Sequence, residues 1–139
     1  MKISDVLFLL ILILTMALSC NSSRKISSGN VPSEISFGRT GGFTNIPDEY
    51  RIYQKGHVFK ITRDDSTQIN DISRKKMRII TGLIGDLDFE HLEVNEPGNI
   101  SYFIRVMTRD YENRAVWNDL TSNDSLKNFY KELLTTVKQ

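Results

Sequence analysis

Ser101-Tyr102-Phe103-Ile104-Arg105-Val106-Met107-Thr108 decides the fold. Tyr102, Ile104 and Val106 alternate with Phe103, Arg105 and Met107, the period of two that sends successive side chains to opposite faces of a sheet. Apolar groups stand on both faces, which predicts a central strand. Arg114 to Trp117 reads as its hairpin partner, and the polar stretch Thr121 to Ser125 then offers several helix caps. Leu126, Phe129, Tyr130, Leu133, Leu134 and Val137 follow at helical spacing, an apolar stripe that predicts a closing helix. Trp117 and Asp119 are placed to help fix it.

Upstream, Glu34 to Arg39 alternates with Ile35 and Phe37 on one face. Tyr50 to Gln54 and His57 to Thr62 are two further strand segments, and Lys55-Gly56 between them reads as a two-residue hairpin connection. A helix is expected from Ser73 to about Asp86. Ser73 caps it, Ile72 packs on Met77 as a hydrophobic staple, and Met77, Ile80, Ile84 and Leu87 form its apolar stripe. Gly82 and Gly85 each cost about 1 kcal/mol relative to Ala in a helix. Close approach to the sheet would account for them. The order β-β-β-α-β-β-α predicts an α+β domain, an antiparallel sheet of about five strands with two helices packed on it.

The amino-terminal end carries an address. Lys2 precedes an apolar run from Val6 to Leu18, thirteen residues interrupted only by Thr15. A membrane-spanning helix needs about 20 apolar residues to cross roughly 30 Å of hydrocarbon, so the run fits a signal peptide better than a permanent span. Ala17-Leu18-Ser19-Cys20 closes it like a lipobox, in which the cysteine thiol receives diacylglycerol and the residue becomes the new amino terminus. Cys20 is the only cysteine in the chain, so no internal disulfide can form, and acylation would consume the thiol. Residues 1–19 are therefore read as a signal peptide and residues 20–32 as a tether carrying lipidated Cys20. Asn21 to Pro32 is rich in Ser, Asn and Gly, and could reach about 40 Å at roughly 3.3 Å per residue. Residue 21 is Asn rather than Asp, which favours the outer membrane over retention at the inner one. Residues 33–139 then make one domain, long enough to bury a core without metal or disulfide.

Eighteen basic residues against seventeen acidic ones leave a formal net charge of +1. That balance gives no electrostatic footprint for nucleic acid. The basic run Arg74-Lys75-Lys76 reads as a solvated helix face. His57 and His91 are isolated and lack metal-motif spacing; His57 is expected on a strand, facing solvent. Asp86, Asp88 and Glu90 begin like a calcium loop, but His91 and Pro97 stand where an EF-hand needs Gly and Glu, so the stretch reads as a solvated helix exit. No serine sits in a nucleophile elbow, and no glycine-rich phosphate loop leads into a helix. No cofactor or metal site is expected.

Two loops carry the candidate binding residues. Arg39-Thr40-Gly41-Gly42-Phe43 pairs glycines, which accept positive φ, ahead of an aromatic that the turn either presents outward or uses to plug the core. Asn95-Glu96-Pro97-Gly98-Asn99 has Pro then Gly in the order that favours a type II turn.

These residues carry a resemblance. The Gly41-Gly42-Phe43-Thr44 stretch, the Asn95-Glu96-Pro97-Gly98-Asn99 turn with Tyr102 and Ile104, and the Trp117 region before a helix resemble a set of small bacterial lipoproteins of unassigned function. The resemblance covers most of residues 34 to 137. Arg39 with Gly41-Gly42-Phe43, a mid-chain helix, a Tyr-x-Ile strand and a closing Leu-rich helix are more distantly similar to the emfourin family of proteinaceous inhibitors of thermolysin-type metalloproteases. The chain departs from that family in its lipid signal and in the acidic segment before Asn95. The resemblance implies a non-enzymatic, lipid-anchored envelope module that binds a protein, such as a secreted metalloprotease. The competing expectation is a structural envelope lipoprotein within a membrane complex.

Overall fold

The computed structural model describes residues 31–42 and 47–138. Cys20, the signal peptide, the tether up to residue 30 and Phe43 lie outside the described residues. The elements run β1 (Glu34–Gly41), β2 (Asp48–Tyr53), β3 (His57–Ile61), β4 (Ser66–Asp71), α1 (Arg74–Asp86), a single 3-10 turn (Phe89–His91), β5 (Ile100–Met107), β6 (Glu112–Trp117) and α2 (Asp124–Leu134). The strands form one antiparallel sheet in the order β4-β3-β2-β1-β5-β6. This is the expected α+β architecture, with a sixth strand that the sequence reading lacked. β4 has the sequence Ser-Thr-Gln-Ile-Asn-Asp, in which only Ile69 is apolar. An edge strand needs no apolar alternation, so the pattern that reveals buried strands is silent there.

The first four strands form a meander, and α1 then returns the chain so that β5 pairs with the free side of β1. β5 is an interior strand, paired with β1 and β6. The residues of one sheet face, Ile35, Phe37, Ile52, Val58, Ile104, Val106, Ala115 and Trp117, pack against Met77, Ile80 and Ile84 of α1 and Leu126, Phe129 and Leu133 of α2. Burying side chains of this size contributes roughly 1.5–3 kcal/mol each before chain entropy is counted. Among the described residues, no helix lies over the other face. There Arg51 Nε pairs with Glu49 Oε1 at 2.8 Å, Arg105 Nε with Glu112 Oε1 at 2.7 Å, and the Arg114 guanidinium lies 4.8 Å over the Phe103 ring. Phe103 is thus buried beneath an arginine.

Both helix starts are capped by the residues that their sequences offered. Ser73 Oγ accepts from Lys76 N at 3.2 Å, and Asn123 Oδ1 accepts from Leu126 N at 3.0 Å. Lys76 corrects the reading of its basic run as a solvated face. It is half-buried between the helices, donating to Glu132 Oε1 at 2.5 Å and Thr135 Oγ1 at 2.8 Å, while Arg74 and Lys75 are exposed. The helical glycines are a second correction. A β-carbon at Gly82 or Gly85 would meet nothing within 4 Å, so neither marks a close approach to the sheet. The turn between β2 and β3 is a third. It spans Gln54 to Gly56, with Gly56 N donating to Tyr53 O at 2.8 Å and Gly56 at φ +94°. A tight turn followed by a left-handed residue is the three-residue hairpin geometry, which glycine accommodates without strain.

Candidate functional site

β1 and β5 bring the two candidate loops together at one end of the sheet. Their register places Arg39 opposite Tyr102 and Gly41 opposite Ile100. The backbone N–H of Gly42 donates to the Asn99 carbonyl at 3.1 Å. Gly41 and Gly42 both have positive φ, +98° and +77°. A β-carbon at Gly41 would lie 2.1 Å from that same Asn99 carbonyl oxygen, so this position requires glycine twice over. Arg39 stands beside them, exposed, with Nε 3.0 Å from Asp48 Oδ2. The hydrogen bond to Asp48 raises the guanidinium further above its already high range.

The second loop is anchored rather than free-standing. Asn95 bridges Val116 in parallel, with Val116 N donating to Val94 O and Glu96 N donating to Val116 O, both at 2.9 Å. The segment therefore covers the outer edge of β6. Its far end is laced to the loop after β6: Asn118 Nδ2 donates to Glu96 O at 2.9 Å and Thr121 Oγ1 to Glu96 Oε2 at 2.7 Å. Pro97-Gly98 does not form the expected type II turn, because Gly98 does not adopt the positive φ which that turn demands. Glycine is needed there for space instead. A β-carbon would sit 2.7 Å from Asn118 Cβ. Gly98 N donates to Ser101 Oγ at 3.0 Å, which fixes the entry into β5. Pro97 and Asn99 are exposed.

Leu120 completes this end of the molecule. It is 93% exposed, flanked by Gly98, Asn99, Ile100 and Asn118 around a shallow hollow of about 270 Å³. Nothing singled out Leu120 in the sequence beyond its being a lone apolar residue in a polar turn. Its exposure follows from the turn itself: Leu120 N donates to Asn118 Oδ1 at 2.8 Å, and Thr121 N to Asn118 O at 3.2 Å. The structure thus gathers Arg39, Gly41, Gly42, Pro97, Gly98 and Asn99 at one pole, with Asn95 beginning the strap that leads into it. Phe43 follows Gly42 in the chain and lies outside the described residues.

Behind the loops is an aromatic cluster that the strand and stripe readings did not join. Tyr102 stacks on Trp117 with centroids 5.9 Å apart and planes at 24°. Tyr130 meets Trp117 edge-on at 5.3 Å, Tyr102 at 5.6 Å and Phe37 at 6.4 Å. Burial, then the neighbouring Tyr102, pushes the Tyr130 hydroxyl up to about 12. Tyr102 is raised as well, by burial first and then by its hydrogen bond to the Asp119 carboxylate. Trp117 and Asp119 do help to hold α2, through Tyr130 and through Lys127 Nζ, which donates to Asp119 O at 3.2 Å.

The remaining polar candidates lie elsewhere. His57 begins β3, half exposed, with Nδ1 2.6 Å from Asp71 Oδ1. Asp88, in the left-handed region at φ 48°, follows the end of α1 and pairs with His91 Nδ1 at 3.0 Å. That hydrogen bond raises the His91 imidazole above its ordinary value. Among the described residues, no three His, Cys, Asp or Glu side chains gather as a metal-ligand set. No family model and no curated protein matches this chain.

Proposed function

We propose that this chain is a lipid-anchored, non-enzymatic protein-binding module of the cell envelope, and that it engages its partner through the loop pole. One observation carries the reading. Two glycine-bearing loops, distant in sequence, are locked to each other and to a third loop that holds Leu120 almost wholly in solvent. Loop residues already tied together in this way, such as Gly42 and Asn99, bind at low entropic cost, because little ordering of them remains to be done on association. The resemblance of Arg39 and Gly41-Gly42-Phe43 to the emfourin pattern supplies the sharpest form of the proposal, inhibition of a secreted metalloprotease.

Titration of the mature protein against a panel of secreted metalloproteases tests it. Saturable inhibition of at least one is expected. Leu120→Glu should weaken that inhibition by about 2 kcal/mol, roughly thirtyfold, as expected of an apolar anchor. Its melting temperature should not change, because Leu120 supports no packing. Undiminished inhibition by the variant would remove the loop pole from the interface. A panel without inhibition, together with one stable membrane complex recovered from crosslinked envelopes, would replace this reading with a structural role.

A further inference from the structure

Beside the loop pole, α2 and the β5–β6 hairpin border a depression of about 270 Å³, whose lining includes Tyr102, Trp117, Asp119, Lys127, Tyr130 and Lys131. We propose that this depression is a binding site for a carboxylate carried on an apolar or aromatic body. The site is chemically divided. Tyr102, Trp117 and Tyr130 form a wall of three mutually packed rings, extended by Leu134. Aromatic walls of this kind take up apolar and planar groups. Lys127 and Lys131 are four residues apart on α2 and so share one helix face. Both line the depression, whereas Arg39, opposite Tyr102 on the neighbouring strand, is already paired with Asp48.

The volume suits one side chain or one small acid. The balance of polar groups sets the sign of its charge. Asp119 is the acidic lining residue, set against the two lysines. The ammonium groups of Lys127 and Lys131, together with the Tyr130 hydroxyl, make the lining rich in donors. A cation would gain from the ring faces, as cations do over aromatic rings, but would meet two lysines at the rim. A carboxylate meets donors there, and charge-assisted hydrogen bonds are the strong ones. The depression could hold such a ligand whether or not the loop pole binds a protein. The same chemistry could arrive as a free small acid or as the C-terminal residue of a polypeptide.

Trp117 is the only tryptophan in the chain, so its emission reports this site directly. The mature protein is titrated with N-acetyl-phenylalanine, with its neutral amide, with phenethylamine, and with a short peptide ending in phenylalanine with a free carboxylate. A saturable change with the acid is expected, with the amide about tenfold weaker or more, the loss of one charge-assisted hydrogen bond. Lys131→Gln should weaken the acid by about tenfold at an unchanged melting temperature. A peptide binding about tenfold tighter than the free acid would assign the site to a chain terminus, and equal binding would assign it to small acids. Absence of any saturable change overturns the proposal. So would equal binding of acid and amide, stronger binding of phenethylamine, or Lys131→Gln with affinity intact.

Discussion

A β-carbon at Gly98 would lie 2.7 Å from Asn118 Cβ, whereas one at Gly82 would meet nothing within 4 Å. The two glycines therefore respond to the same substitution with opposite sign. Gly98→Ala forces apart two loops joined by Asn118 Nδ2 to Glu96 O and should cost about 1–3 kcal/mol, the range for overpacking. Gly82→Ala, inside α1 with open space around it, should stabilise by about 0.5–1 kcal/mol, because alanine loses less backbone freedom on entering a helix. Chemical denaturation of both variants checks the pair. A Gly98→Ala midpoint equal to the parent's would show that the loops part without cost. Sequence showed that both positions were glycine and could not separate them. Need for space depends on what lies across the gap, and Asn118 reaches Gly98 only once β5 and β6 have paired.

At the scale of elements, what was legible is what burial writes into the chain as a period. α2 was read from Leu126, Phe129 and Leu133, and all three are buried against the sheet. Ser73 announced α1 because a capping side chain bonds locally, within three residues of itself. β5 was read from its two-faced alternation, though nothing in that pattern said that its second apolar face would be covered by an arginine over Phe103 instead of a helix. β4 left no trace, having one apolar residue in six. The loop pole was legible only in pieces, since the meeting of Gly42 with Asn99 is made by β1–β5 pairing across most of the domain. Leu133 tests the element that was read most directly. It is fully buried, and Leu133→Ala should cost roughly 2–5 kcal/mol. Small domains hold only about 5–15 kcal/mol in total, so the midpoint should move far. A midpoint unchanged within error would mean that α2 does not pack as described.

For the whole molecule, the polarity of β1 relates the proposed anchor to the proposed contact surface. The strand enters at Glu34 and leaves at Gly41, eight residues that span roughly 23 Å at about 3.3 Å per residue. A chain anchored through Cys20 joins the domain at the Glu34 end, whereas Arg39, Gly41 and Gly42 lie at or near the other. The same end of β1 that meets the tether also meets Met107, through Ser33 N to Met107 O at 2.8 Å, so the attachment point is held by the sheet. The loop pole is then the end of the domain farther from the point of attachment, the arrangement suited to a partner approaching from the aqueous side. All of this depends on acylation, which the lone thiol makes simple to test. With Cys20 acylated, the native protein contains no free cysteine, so a maleimide should add nothing to it even after denaturation. Mass spectrometry should find a mature amino terminus at Cys20 with acyl mass attached. Each buried methylene contributes about 0.8 kcal/mol, and two or more chains give stable attachment, so the native protein should partition with membranes. Cys20→Ala should accumulate as an unacylated, uncut precursor. A mature terminus at any other residue, or a native thiol that takes up maleimide, removes the anchor and with it the argument from polarity, while leaving the loop pole to be judged by Leu120.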